Sequence, residues 1–203
     1  MNIREVDLKE KNIIKDVVAI HLATFQGFFL TFMGKGFLTQ LYTSYCSHPE
    51  SGLLAAFDDG IVVGFLAYSE NLSGLYKYMI RKRLLFFAWY SVGAFFRKPK
   101  VFMRLLRAFL KPGTAERKEN YIELASIGVN PEFERQGVGT MLVSRLKETT
   151  DFLKFAYISL ETDAENNESA NQFYKKNEFV LVREYLTREG RKMNEYRYRK
   201  ADR

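Results

Sequence analysis

Val129-Asn130-Pro131-Glu132-Phe133-Glu134-Arg135-Gln136-Gly137-Val138-Gly139-Thr140 runs from the end of an apolar strand, through a proline turn, into the start of a helix. The first backbone N–H groups of a helix have no partner within it, and the helix dipole adds partial positive charge there. Such an end binds phosphate. Gly137 and Gly139 carry no Cβ to block close approach, and Arg135 adds a permanent cation. The spacing is neither a Walker loop nor a dinucleotide fingerprint, because no third glycine and no Lys-Ser/Thr follow. Taken alone, Gly-x-Gly before a helix is as readily a plain tight turn.

Outward from this loop, Tyr121 to Val129 reads as a strand and about Gly137 to Thr150 as a helix. Tyr157 to Thr162 is another strand, and polar Asp163 to Glu168 leads into a helix ending near Lys176. Phe179 to Tyr185 and Met193 to Arg199 form a terminal strand pair around Arg188-Glu189-Gly190. Upstream, Ile13, Ile14, Val17, Val18, Ile20, His21 and Phe25 recur at helical spacing, and Gly36 to Tyr45 gives a second helix. Leu53 to Phe57 and Ile61 to Tyr68 flank Asp58-Asp59-Gly60 and read as a β-hairpin. The order is helices, hairpin, strand-helix-strand-helix, hairpin: one α/β domain over residues 1–203 with a mixed β-sheet flanked by helices.

The chain has 203 residues with 47% apolar content and can bury a sizeable core. A single cysteine, Cys46, excludes an internal disulfide framework, and with two histidines it argues against a metalloenzyme. The charged N-terminal residues do not read as a signal peptide, which places the protein in the cytoplasm. The net charge of +7 is unevenly spread: Asn71 to Ala115 holds ten Lys or Arg and no acid, which leaves the remainder at −3. This segment, about 71–116, is an insertion between the third and fourth strands. It contains a thirteen-residue apolar run, Leu84 to Phe96, and then Lys100, Arg104, Arg107 and Lys111 at the spacing of one helix face, opposite Val101, Phe102, Leu105, Leu106 and Phe109. Three readings of it compete: packing onto the domain with a solvated basic face, as a substrate lid would; binding an anionic membrane surface or a lipid-linked acceptor through residues 77–111; and binding nucleic acid, which ranks lowest because the aromatics are not interleaved with the basic face.

The strand end Ile127-Gly128-Val129, then Asn130-Pro131 and Arg135-Gln136-Gly137-Val138-Gly139-Thr140, resembles motif A of the GNAT superfamily of acyl-CoA N-acyltransferases. Ile158 to Thr162 is similar to that family's fifth strand, and Asn167 to Phe179 to its motif B. The match is close over 121–185 and looser over Ile3 to Tyr68. At one position the family carries glycine where this chain has Glu178, and Asn177 is expected to supply the left-handed cap instead.

The resemblance implies acetyl-CoA as co-substrate. Main-chain N–H groups of Gln136, Gly137, Val138, Gly139 and Thr140, beside Arg135, would hold the pyrophosphate. The edge of Ile127, Gly128 and Val129 would pair with the pantetheine amides, and Asn167 would hydrogen-bond the same arm. Tyr174 is the implied general acid for the departing thiolate; a phenol with a pKa of roughly 10 stays protonated at neutral pH. For the base that relieves the amine of its proton, Glu123 and Glu161 both fit. Each is equally readable as a solvated edge glutamate; Glu123 is slightly favoured, since alternation puts it on the face of Ala125, Ile127 and Val129.

Other residues read plainly. His21 is a packing histidine, Cys46 and His48 have no third partner, and Phe25, Phe28, Phe29 and Phe32 serve either an acceptor loop or the core. The expectation is an N-acetyltransferase acting on a small-molecule primary amine, with an amino-sugar foremost. A protein N-terminal or lysine amine is the alternative, and a non-catalytic, membrane-associated acyl-CoA-binding module the reading from another class. Cytoplasmic or membrane-peripheral placement both fit, no metal is called for, and a dimer is compatible with the sequence.

Overall fold

The computed structural model of the protein describes residues 1–97, 99, 102, 103, 119–187 and 190–200. Seven strands form one sheet in the order β1-β2-β3-β4-β5-β7-β6. They are β1 (Asn2–Glu5), β2 (Ser51–Asp58), β3 (Ile61–Ser69), β4 (Tyr121–Val129), β5 (Tyr157–Asp163), β6 (Val180–Leu186) and β7 (Lys192–Tyr198). The helices are α1 (Lys11–Thr24), α2 (Phe29–Met33), α3 (Lys35–Ser47), α4 (Leu72–Arg97), α5 (Val138–Thr149) and α6 (Glu168–Lys176).

Helices cover both faces of the sheet, so β2 and β3 are apolar almost throughout instead of alternating. One core joins α1, α3 and α4 to one face through Val17, Leu38, Leu53, Phe65, Leu75 and Met79. The other joins α5 and α6 to the opposite face through Leu66, Leu124, Leu142, Leu146, Ile158 and Tyr174. In the β2–β3 turn, Asp59 and Gly60 both take positive φ, 46° and 83°, as a two-residue type I′ turn requires.

Three details correct the sequence reading. A short edge strand, β1, precedes the first helix; with only four residues, two of them charged, it shows no periodicity, and its pairing with Leu54–Phe57 of β2 defines it. The apolar run Leu84 to Phe96 is not a separate element but the second half of a 26-residue helix, α4, that starts directly after β3. The basic amphipathic helix expected around Lys100, Arg104, Arg107 and Lys111 lies outside the described residues. Finally, Glu178 itself is left-handed, with φ +64°, whereas Asn177 is not, with φ −91°. Lys147 secures that turn by donating to the Asn177 carbonyl at 2.7 Å and pairing with Glu178 at 2.9 Å.

Candidate active site at a split in the sheet

β4 and β5 run parallel but pair only from Tyr121↔Tyr157 to Glu123↔Ser159. Past Glu123 the two strands separate, so among the described residues the edge of β4 from Leu124 to Val129 has no strand beside it on the β5 side. The Asn130 N–H donates to the Val63 carbonyl at 2.9 Å, which fixes the antiparallel alternation along β3. Gly128 therefore turns both main-chain groups to Phe65, while Ile127 and Val129 turn theirs into the split. Thr24 Oγ1 already donates to the Val129 carbonyl at 3.0 Å. The open main-chain groups of this stretch are thus the Ile127 N–H and carbonyl and the Val129 N–H, and Gly128 does not share the edge role expected of it.

A bulge sits in the middle of β4. Ala67 pairs with Ser126 but Tyr68 pairs with Leu124, leaving Ala125 as an extra, exposed residue. The bulge shifts the alternation by one. Glu123 consequently shares its face with Ser126 and Gly128, not with Ile127 and Val129 as uninterrupted alternation predicts, and that face is the one covered by α1, α3 and α4. Glu123 is 9% exposed and stands opposite Ser69 and Ser159 in its neighbouring strands. Its charge acts on two phenols brought by the helices. Tyr45 of α3 is raised by burial, then by Tyr76, Tyr42 and Glu123; Tyr76 of α4 is pushed up to about 12 by burial, then by Glu123 and Glu161.

Glu161 lies on the same face, two residues beyond Ser159 on β5. It is more open than Glu123, accepts a hydrogen bond from the Tyr185 hydroxyl at 2.6 Å and lies 3.9 Å from Arg183. Its cross-strand partner Glu195 is 1% exposed and bridged by Arg183 at 3.0 Å and Arg197 at 2.8 Å. Sequence inspection missed this cluster, because its members come from three strands whose pairing only the fold specifies.

α5 begins at Gly137, which is left-handed with φ +82°. The first intrahelical bond is Met141 N–H to the Gly137 carbonyl at 3.0 Å, so the N–H groups of Val138, Gly139 and Thr140 precede the ladder. No side chain caps them and the first turn has no acid. The two glycines do different work. A Cβ on Gly137 would meet nothing, and its conformation alone demands glycine; a Cβ on Gly139 would come 3.1 Å from the Phe173 ring and 3.7 Å from Val129. The space left by the missing Cβ of Gly139 is closed by Phe173 and Val129, which brings the end of β4, the start of α5 and α6 into one corner. Val138 is buried, so only its main chain can serve a ligand, while Arg135, itself at φ +60°, and Gln136 and Thr140 are exposed.

Tyr174 follows Phe173 on α6 and belongs to the core on the face opposite Glu123. Phe173, Phe179 and Tyr196 surround its ring at 5.3, 6.0 and 5.9 Å, and its hydroxyl makes no hydrogen bond among the described residues. Burial raises its pKa, which keeps the phenol protonated. Asn167 stands at the N-cap of α6 without capping it; its amide N–H₂ donates to Thr162 Oγ1 at 2.7 Å, which ties down the β5–α6 connection. Asn171, overlooked in the sequence, is a buried hub. It donates to the carbonyls of Asp163 and Asn167 and accepts from Asn194 and Tyr196 at 2.8 and 2.9 Å.

Of the residues set aside, His21 is buried with Nδ1 2.6 Å from the Tyr42 hydroxyl, and burial lowers its pKa to about 4. Its Nε2 has no hydrogen-bond partner among the described residues, so the histidine is packed but only half satisfied. Phe25 packs against His21 at 4.7 Å and against Phe28 at 5.8 Å beside the α1–α2 connection.

A split parallel pair beside a helix start with free N–H groups and no acid fits a phosphorylated donor threaded between strands, and the comparisons agree. Residues 19–179 match the acetyltransferase (GNAT) family, and the chain belongs to that family. No curated protein matches the sequence. Among solved structures, the ribosomal-protein-alanine N-acetyltransferase of Brucella melitensis has 13% identity and a TM-score of 0.61, covering 98% of this chain and 99% of its own. An acetyltransferase of the GNAT family from Bacillus cereus has 14% identity and a TM-score of 0.59, covering 99% and 98%. Arabidopsis thaliana NAA60, solved with acetyl-CoA, has 11% identity and a TM-score of 0.55, covering 98% and 97%. At these identities the three share the fold with this chain. Acetyl-CoA is the co-substrate of the family.

Proposed function

We propose that this protein transfers an acetyl or short acyl group from acyl-CoA to the primary amine of a small molecule, an amino-sugar foremost, by direct attack on the thioester. One observation carries this reading: the candidate base and the candidate acid stand on opposite faces of the sheet where β4 and β5 part. The N–H groups of Val138, Gly139 and Thr140 hold the donor's phosphates, with Arg135 and Gln136 alongside. The open groups of Ile127 and Val129 and the Asn167 side chain hold its pantetheine arm.

The amine arrives from the face of α1, α3 and α4. Glu123 accepts its proton, directly or through a water, as nitrogen bonds to the acyl carbon. The carbon–sulfur bond then breaks, and Tyr174 protonates the thiolate from the other face. Glu161 is the second candidate for the base; its hydrogen bond to Tyr185 and the nearby Arg183 favour instead a role in orienting the acceptor.

A small acceptor is favoured because α4 walls the Glu123 side. Leu72, Leu75, Tyr76 and Met79 pack into the same core as α1 and α3, and Phe87 meets Phe37 at 4.8 Å. The half-buried Cys46 thiol is raised to about 12 by burial and then by Glu5, Asp7 and Glu10, which keeps it in the unreactive thiol form. The test is thiol release from acetyl-CoA against amino-sugars, polyamines, amino acids and peptides. Turnover on amino-sugars is the expected result, and turnover on peptides alone overturns the choice of acceptor.

A further inference from the structure

Among the described residues, α4 carries a long row of exposed apolar side chains. On its second half Leu84, Leu85, Trp89, Val92 and Phe96 are 55, 83, 75, 48 and 77% exposed, far more than side chains of this kind normally leave to water. On its first half Lys77, Arg81 and Lys82 are exposed, and no acid occurs anywhere in the helix. None of these three cations is ion-paired among the described residues. No helix among the described residues is long and apolar enough to cross a membrane. The opposite edge of α4 is committed to the core through Leu75 and Met79, so the free side cannot turn inward.

We infer that the free side of α4 is a docking surface for an anionic lipid bilayer, on which the helix lies with Leu85, Trp89 and Phe96 in the interface and Lys77, Arg81 and Lys82 among the headgroups. Charge complementarity selects this occupant. A second copy of the chain meeting the same surface would bring together two helices whose charges are all positive, and like charges across an interface oppose association. Nucleic acid would satisfy the cations but leave Leu85 and Val92 with no base to stack on. A lipid interface accepts both halves at once, since apolar side chains enter the acyl boundary while basic ones stay with the phosphates. Docking would also set the Glu123 side, which the first turns of α4 cover, close to the lipid surface. The inference goes beyond the proposed acyl transfer and stands or falls separately from it.

Trp89 is the only tryptophan of the chain, and it reports on this surface directly. The intact protein is titrated with vesicles of phosphatidylcholine and phosphatidylglycerol at 3:1, with phosphatidylcholine alone, and with brominated lipid at the same charge. The expected result is a blue shift of Trp89 emission and quenching by brominated lipid with the anionic vesicles, reversed by salt and weak with neutral ones. The triple variant Lys77→Gln, Arg81→Gln, Lys82→Gln keeps the probe and should weaken partitioning by up to about 100-fold, about fivefold per charge. Its turnover on a soluble amine should be unchanged. An emission maximum and flotation unaffected by anionic vesicles overturn the inference. So does a concentration-dependent dimer that buries Trp89 without lipid, or a shift produced by oligonucleotides and not by vesicles.

Discussion

Glu123 and Tyr174 lie on opposite faces of the sheet, one against the α1, α3 and α4 core and the other within the α5 and α6 core. In the proposed reaction, a proton taken from the amine on one side and a proton given to sulfur on the other need not compete for the same space. This division also lets the two groups have unlike environments: a carboxylate near two phenols, and a phenol among aromatic rings.

Tyr174→Phe removes a hydroxyl that makes no hydrogen bond among the described residues, so the fold should survive with its melting temperature nearly unchanged. Turnover should drop by roughly 10- to 1000-fold, the range of a lost general acid, while acetyl-CoA affinity by calorimetry stays within about twofold. Full activity in this variant would remove Tyr174 from the chemistry.

The two glutamates are separated by their pH profiles. A base must be ionised to work, so kcat/KM falls on the acidic side as it becomes protonated. Glu123→Gln should abolish that acidic limb along with most of the rate, whereas Glu161→Gln should keep the limb and raise the acceptor KM. If the limb disappears in the second variant instead, the assignments exchange.

The glycines of the α5 start should fail in different ways. Gly137→Ala meets no atom but holds a left-handed φ at a cost of about 1 kcal/mol, and it should weaken acetyl-CoA binding by tilting the helix start. Gly139→Val presses on Phe173, and should lower stability and turnover together. Equal losses of binding with intact stability in both would mean that the missing Cβ of Gly139 makes room for the ligand and not for Phe173.

His21 makes the fold acid-sensitive. Its folded pKa of about 4 lies below the ordinary 6.5, so the unfolded chain binds the extra proton. Its contribution is fully present above pH 6.5 and is lost as the pH falls from there towards 4, in all on the order of 3 kcal/mol. His21→Phe should flatten the dependence of the urea midpoint on pH across that window; an unchanged slope would place the acid sensitivity elsewhere.

Glu178 sets a strain against an ion pair. Glu178→Gly relieves the left-handed φ at the expense of an exposed salt bridge worth at most about 1 kcal/mol, and Glu178→Ala keeps the strain and loses the bridge. The expected order of unfolding midpoints is Gly at or above wild type, with Ala lowest.

The elements legible in the sequence are those with a local signal. The hairpin at Asp59-Gly60, the strand before Asn130-Pro131 and the helix after Gly137 all declare themselves within a few residues. β1 is invisible because its pairing with β2 is its only definition, and the bulge at Ala125 is invisible because no residue type requires it. That bulge misdirected the reading of Glu123. The Arg183, Glu195 and Arg197 cluster and the Asn171 hub are likewise made by contacts between distant segments, which spacing along the chain does not record.

The extra residue at Ala125 makes β4 two short rulers joined end to end. Tyr121 to Glu123 is paired with β5 and, at Glu123, with β3 as well; among the described residues Ser126 to Val129 is paired with β3 alone. On the proposed function, acceptor preference can therefore drift at the first ruler without resetting the edge offered to the donor on the second. Deleting Ala125 would fuse them, turning a local adjustment at either end into a rotation of every side chain at the other.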